Sequence, residues 1–395
     1  MDPLTGSVQH YAWGSTTAIP AFLGVEPDGR PQAELWLGAH PSAPSRIGGR
    51  SLAELISADS TGVVGRAAVE SFGPRLPYLL KVLAAAQPLS LQAHPSRTGA
   101  EIGFAREDDA GIDLGSPTRL YRDDWPKPEM LVALDDVEAL CGFRDPDATF
   151  ALFSRLGVPT ATALMAPLHG GGADHLAEVF ARVLGLTDGE RDVVTEVVAA
   201  AAELLAAGGG PDAELERFAR TAVELHQHYP GDPGVLAALL MNRMGISRFE
   251  GLFLPAGNLH AYLHGIGVEI MANSDNVMRG GLTPKHVDVQ ELMAILDFTP
   301  GVPDLVEVVA DGVGVWRYRT PAPEFALWRL DADPTGVVVP AAVSGRVVLV
   351  VEGEVELTDG TTTLRLARGG SVFGYPGESL TVTGGGIVVV AAPAV

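Results

Sequence analysis

A chain of 395 residues, 47% hydrophobic and 19% charged, is long enough for two or three domains with a sizeable core, and its 47 glycines and 29 prolines stay below the roughly 25–30% that marks low-complexity sequence. A formal charge of −22 repels nucleic acid and anionic membranes, so an anionic small substrate needs a local basic pocket. The single cysteine, Cys141, has no internal disulfide partner, Met1-Asp2-Pro3-Leu4 does not open a signal peptide, and no apolar stretch reaches the ~18–20 residues of a bilayer span; together these predict a cytoplasmic protein.

In chain order, residues 76–132 read as short strands, 76–83 and 89–94 among them, separated by Pro and Gly, the material of a barrel or sandwich. From about Ala148 to Met244 the apolar spacing turns helical, with helices predicted over 174–186, 188–207 and 212–228, Asp at their N-caps and Gly208-Gly209-Gly210 ending one of them. Strand signals return after Phe249 and dominate from Gly336, where 346–357 passes from a buried run into strict alternation. The expected fold is mainly β with a helical insertion. A β unit begun by 1–147 is completed by 245–330 around the insertion at 148–244, and 331–395 forms a small double-sheet jelly roll.

Gln92 and His94 lie one residue apart in a predicted strand and leave the same face, where an amide and an imidazole must each find a partner; a metal is one such partner. Lys127 and Glu129 repeat the arrangement around Pro128, which suits a strand position without a ladder donor. His260 and Tyr262 are a third pair. Two imidazoles, a carboxylate and an amide oxygen form a mixed N/O set that suits zinc, with water or substrate completing the shell. Taken singly, each histidine reads as an ordinary packed or surface residue and Lys127 as a solvated charge, so the reading rests on the joint pattern.

Longer strings add to it: Tyr11-Ala12-Trp13-Gly14-Ser15, Glu34-Leu35-Trp36-Leu37-Gly38-Ala39-His40-Pro41, Ser90-Leu91-Gln92-Ala93-His94-Pro95, Lys127-Pro128-Glu129-Met130, Ala139-Leu140-Cys141-Gly142-Phe143, His260-Ala261-Tyr262-Leu263 and the run 269–285. In these the chain resembles, nearly end to end, the class I mannose-6-phosphate isomerases. The resemblance implies cupin-type jelly-roll barrels and one zinc per chain, held by Gln92, His94, Glu129 and His260. It also implies interconversion of mannose 6-phosphate and fructose 6-phosphate, a step that feeds mannose and GDP-mannose supply, in a monomer rather than an obligate oligomer. The sugar-phosphate pocket falls on Ser90, Lys127, Tyr262, Glu269, Asp275, Arg279 and Lys285. Trp125-Pro126 departs from the family's frequent Asn-His pair and is expected to alter a pocket wall. His264 stands where a small turn residue is expected, as a bland turn residue or as a fifth polar group near the site. His226 and His228 are expected to be solvated, and His40 lies in a family motif without being a ligand. With no histidine after His286, the C-terminal unit reads as a degenerate cupin used for packing.

Moving a carbonyl between C1 and C2 of a sugar needs ring opening, removal of a weakly acidic C–H proton and stabilisation of a cis-enediolate, for which zinc is a Lewis acid. Lys127, beside a ligated carboxylate, is a candidate base, and Glu269 and Asp275 are rivals unless they are ion-paired to Arg279 or Lys285. Arg279 suits an enediolate or phosphate oxygen, Ser90 and Lys285 are further phosphate donors, and Gly280-Gly281 is expected to let substrate approach the backbone closely. Two other functions compete. The amide of Gln92 opposes an iron-dependent cupin oxygenase, and the full ligand set with Arg279 opposes a non-catalytic sugar-phosphate sensor.

Overall fold

Strand alternation sorts the residues of the site from those of the core. In the computed structural model, which describes residues 1–208 and 212–395, the strand His260–Ala272 is the axis of a ten-stranded sheet. It runs antiparallel to Tyr78–Ala85, Gln92–Ala93, Glu129–Ala133 and Val137–Phe143. Glu34–Gly38 continues the sheet beyond Tyr78–Ala85, and Met278–Arg279 pairs with Gln92–Ala93. Along Tyr78–Ala85, residues Tyr78, Leu80, Val82 and Ala84 enter a buried core while Leu79, Lys81 and Leu83 face a cavity. Glu34–Gly38 divides the same way, with Leu35 and Leu37 in the core and Glu34 and Trp36 toward the cavity.

A seven-stranded sheet covers the back of this wall, in the order Asp2–Pro3, Ser371–Gly374, Arg346–Glu352, Ile387–Ala392, Ala326–Asp331, Val315–Tyr318 and Val308–Gly312. Val347, Leu349 and Val351 join the core made by Leu80, Val82, Met130 and Ile270. Val348 and Val350 point the other way, onto Val355, Leu357 and Val382 of a four-stranded sheet. Burial on both faces explains why this strand reads as an unbroken apolar run. The Tyr78 hydroxyl ties the layers, donating to the Ala391 carbonyl at 2.8 Å and accepting from the Val347 amide at 3.2 Å. The expected single passage over 346–357 is two strands, Arg346–Glu352 and Glu354–Thr358, in different sheets. They break at Gly353, whose φ of +70° and whose hypothetical Cβ, 2.5 Å from the Gly385 carbonyl, exclude other residues.

Among the described residues, the stretch between Pro146 and Leu239 is mainly helical, and Phe153, Phe180, Val194, Phe218 and Leu225 share one core. Asp212 caps Ala213–His228 through the amides of Glu214 and Leu215. The helix predicted from 188 begins at Asp192, because Thr187 and Glu190 close a 3-10 turn ahead of it. It ends at Ala206 with Gly208 following at φ +96°, while Gly209 and Gly210 lie outside the described residues. Gly172, rather than Asp174, caps Ala173–Leu184. Met241–Ile246 pairs with Val137–Phe143 and so belongs to the ten-stranded sheet. One helix, Arg97–Asp109, stands where short strands were expected; its buried face is Ala100, Gly103 and Glu107, which gives the sequence no apolar stripe to read. No described helix is long and apolar enough to cross a membrane.

Candidate metal centre and active site

Three neighbouring strand ends bring the donors together. His260 opens the axial strand opposite Gln92 and Cys141, Glu129 opens the next strand opposite Met271, and His94 follows directly on Gln92–Ala93. The Nδ1 atom of His94 donates to the Asn276 carbonyl at 2.7 Å, and that of His260 to the Asn258 carbonyl at 3.1 Å. With Nδ1 committed, each ring turns its Nε2 toward Glu129 Oε2, at 3.3 Å from His94 and 3.4 Å from His260. All three residues are buried, and among the described residues theirs is the only group of His, Cys, Asp or Glu ligand atoms so gathered, all within 4.8 Å of one another. Burial pushes the His94 imidazole down to about 4, so it is neutral near pH 7. Burial works against the Glu129 carboxylate, yet the Lys127 ammonium at 3.1 Å holds it well below its ordinary value. His94 Nε2 is buried without a hydrogen-bond partner. A buried lone pair of this kind beside an ionised carboxylate and a second imidazole fits zinc. Gln92 lines the cavity beside the triad.

The cavity measures about 770 Å³. Ser90, Gln92, Glu129, His260 and Tyr262 line it with Lys127, Glu269, Asp275, Arg279 and Lys285, and His94 sits buried just behind the wall. The Lys127-Pro128-Glu129 strand is shorter than expected, since only Glu129 enters the ladder.

Neither acidic rival pairs with Arg279 or Lys285. Glu269 binds Lys81 at 3.0 Å, and Asp275 meets His40 Nε2 at 3.2 Å. Lys81, on the strand adjacent to Glu269, also lies 3.6 Å from Glu34, which accepts the Trp36 indole N–H at 2.6 Å. Burial opposes the Lys81 ammonium, but the carboxylates of Glu269 and Glu34 outweigh it and raise its pKa. Burial raises Glu269 despite Lys81, whereas the hydrogen bond from His40 holds Asp275 below the usual range. Burial, helped by the charges of Glu269 and Glu129, keeps Tyr262 a protonated phenol, and its buried oxygen has no partner.

Arg279, Lys285 and Arg122 line the same cavity, and among the described residues none makes an ion pair with a carboxylate. Burial and the charge of Arg122 depress Arg279; burial, Arg279 and Arg122 depress Lys285. This is the basic pocket that the net charge of −22 requires. Lys81, Arg122 and the partner role of His40 escape the sequence reading, because a lone cation or imidazole has no periodic signature; strand register brings Lys81 to Glu269, and loops bring Arg122 and His40 to the cavity.

His264 is exposed within the axial strand, opposite Glu138 beside a strand irregularity, and lies outside the cavity, so it is neither the expected turn residue nor a fifth polar group near the site. His226 Nδ1 accepts the Gly231 amide at 3.3 Å, and the exposed His228 reaches the cavity rim. The Gly280-Gly281 pair serves packing instead of substrate approach: a Cβ on Gly281, at φ +112°, would lie 2.6 Å from Gly234 Cα. Trp125 does not line the cavity. Replacing His169, His175, His226 and His228 together with Asn or Gln is expected to leave bound zinc unchanged. Metal analysis of the variant, with its fold checked by circular dichroism, tests this, and loss of stoichiometric zinc would move a ligand into the helical region.

The family model of the catalytic domain of type I phosphomannose isomerase matches residues 1–146. The chain is 37% identical to the mannose-6-phosphate isomerase of Escherichia coli (strain K12) over 398 residues, covering 98% of each chain. It is 31% identical to that of Homo sapiens over 413 residues, covering 96% of this chain and 94% of the relative. The crystal structure of a zinc-bound holo mannose 6-phosphate isomerase superimposes with a TM-score of 0.90 at 33% identity, covering 100% of this chain and 99% of the other. Similarity of this extent, spanning almost the whole of the relatives and embracing the region of the buried His94, Glu129 and His260, places the chain in the type I phosphomannose isomerase family.

Proposed function

We infer that the protein interconverts D-mannose 6-phosphate and D-fructose 6-phosphate, passing one proton between C1 and C2 of the ring-opened sugar through a cis-enediolate. One observation carries this reading: a single cavity is lined by Glu129 and His260 of the buried triad, with His94 behind them, and by three cations that have no carboxylate partner among the described residues. Zinc, held by Gln92, His94, Glu129 and His260, supplies Lewis acidity to the sugar's oxygens.

Glu269 is the base in this proposal. Burial raises its pKa toward the working pH, where a carboxylate abstracts and returns a proton best. Asp275 is held low by His40 and is 52% exposed, and Lys127 is tied to Glu129. Lys81 balances the Glu269 charge, and its contact with Glu34 keeps it paired when Glu269 carries the proton. The Tyr262 phenol and the Lys127 ammonium donate to sugar oxygens, Arg279 steadies the enediolate, and Ser90, Lys285 and Arg122 hold the phosphate.

The inward residues Leu83, Leu131, Ala139, Leu254 and Tyr262 pack into one interior cluster, which supports reading the ten-stranded sheet as a cupin-type jelly-roll barrel. In this reading segments 1–147 and 245–330 carry the barrel, 148–244 is its helical insertion and 331–395 a degenerate second barrel, all in a cytoplasmic monomer.

Incubating the purified protein with mannose 6-phosphate in deuterated water is expected to exchange the C2 proton, which a mere sensor leaves in place. Glu269→Gln is expected to suppress both exchange and kcat by ~10²–10⁴, the usual contribution of a general base. Exchange persisting in Glu269→Gln and vanishing in Lys127→Met would transfer the base to Lys127.

A further inference from the structure

Trp125, the departure from the family pattern, stands outside the cavity, but its backbone is part of a knot that ends on a metal-centre histidine. Asn276 is fully buried. Its side-chain oxygen accepts the Arg122 amide at 2.7 Å, and its side-chain nitrogen donates to the carbonyls of Asp123 at 2.8 Å and Trp125 at 2.9 Å. The Asp123 carboxylate answers from the opposite loop, accepting the Ser274 hydroxyl at 2.7 Å, the Asp275 amide at 2.8 Å and the Trp125 amide at 3.0 Å. These bonds fix the Asn276 backbone, whose carbonyl receives His94 Nδ1 at 2.7 Å. That contact keeps the His94 proton on Nδ1 and aims Nε2 at Glu129.

The knot is braced from behind. Two guanidiniums pack on the Trp125 ring, Arg97 3.9 Å and Arg75 4.6 Å from its centroid. Arg97 is held at 3.1 Å by Glu324, a buried residue just before the strand Ala326–Asp331 of the seven-stranded sheet. The rear sheet, which carries none of the proposed ligands, thus reaches the metal centre through one carboxylate.

We propose that Asp123 and Asn276 are positioning residues for His94, braced through Trp125, Arg97 and Glu324 by the seven-stranded sheet. The proposal rests on the reading of His94 as a zinc ligand. Loss of such outer partners typically weakens metal binding or activity ~10–100-fold. The removed bonds are local, so the folded variants keep the ligands but hold His94 in a looser orientation.

The test uses the full chain with Zn²⁺ in competition with a chelator, and the visible absorption of the Co²⁺-substituted protein. Asn276→Ala is expected to weaken zinc ~10–100-fold and to alter the cobalt bands, with Asp123→Asn and Glu324→Gln shifting both in the same direction by less. If Asn276→Ala does not fold, the two isosteric variants, which remove charge and keep shape, carry the test. Variants that lose thermal stability yet keep the zinc affinity and cobalt spectrum of the unaltered chain would overturn the positioning role and leave the knot purely structural. If the unaltered chain itself takes up no zinc, the reading of the metal centre fails first and the proposal falls with it.

Discussion

Exhaustive removal of metal is expected to abolish turnover, and one equivalent of zinc per chain is expected to restore it. The expectation follows from the state of the triad. His94 Nε2 is a buried lone pair without a hydrogen bond, and Glu129 is an ionised carboxylate in a buried wall. Their arrangement is complementary to a cation, and without one the cavity has Lys127 and Arg279 but no Lewis acid for the sugar's carbonyl. A single oxyanion donor is typically worth ~10²–10³ in rate, and a divalent ion at the reacting carbonyl contributes several kcal/mol of charge stabilisation, so a loss of at least ~10³ is expected. Because zinc binds the folded state, the metal-free protein is also expected to melt at a lower temperature, by the linkage of ligand binding to stability. Among single changes, His94→Ala, His260→Ala and Glu129→Gln are expected to lose zinc far more readily than Gln92→Ala, whose ligand atom is a neutral amide oxygen. Metal analysis paired with activity checks both halves. Full activity in a demonstrably metal-free sample would remove zinc from the chemistry, and tight zinc in Glu129→Gln would remove Glu129 from the ligand set.

Residue chemistry made part of this site legible before any fold was known, and strand register supplied the rest. Gln92 with His94, Lys127 with Glu129 and His260 with Tyr262 stood out as same-face strand pairs, yet each residue taken singly read as ordinary, and it was the family resemblance that joined Gln92, His94, Glu129 and His260 into one expected ligand set. Glu269, by contrast, could be read as a base or as half of an ion pair. Its partner, Lys81, lies 188 positions away and meets it only because Tyr78–Ala85 pairs with the axial strand. The alternative of a pairing with Arg279 or Lys285 favoured nearness in sequence over nearness in space. Arg122 was hidden likewise, as one surface cation five positions before Lys127. At the scale of the fold, the buried run Arg346–Glu352 was legible as strand but not as two layers, since alternation is silent when both faces are covered. The recruitment of Asp2–Pro3 into the same sheet as Ser371–Gly374 has no local signal at all.

Arg279→Gln is expected to lower kcat by ~10²–10³ while changing the Michaelis constant little, as for the loss of one donor to a developing oxyanion. The register argues for this role. Arg279 and Gln92 are directly opposed in an antiparallel pair, so their side chains leave the sheet on one face with Cβ atoms ~4.5–5.5 Å apart. The guanidinium therefore starts beside a proposed zinc ligand. Among the described residues it makes no ion pair, and although burial and Arg122 depress its pKa, an arginine stays protonated and offers a fixed fork without surrendering a proton. Charge that appears on the sugar only in the enediolate is what such a donor selects, and an interaction stronger in the transition state than in the ground state acts on kcat. The rival role is phosphate binding, since the charge of Arg279 also reaches Lys285. A phosphate dianion is present in substrate and transition state alike, so a group that only holds it contributes uniform binding and its loss acts on the Michaelis constant. Lys285→Met supplies that reference: its Michaelis constant is expected to rise with kcat largely preserved. Steady-state kinetics of the two variants side by side decide the matter. If Arg279→Gln behaves as Lys285→Met does, with near-normal kcat and a greatly raised Michaelis constant, Arg279 belongs to the phosphate end of the cavity, and the enediolate is left to zinc, Lys127 and the Tyr262 phenol.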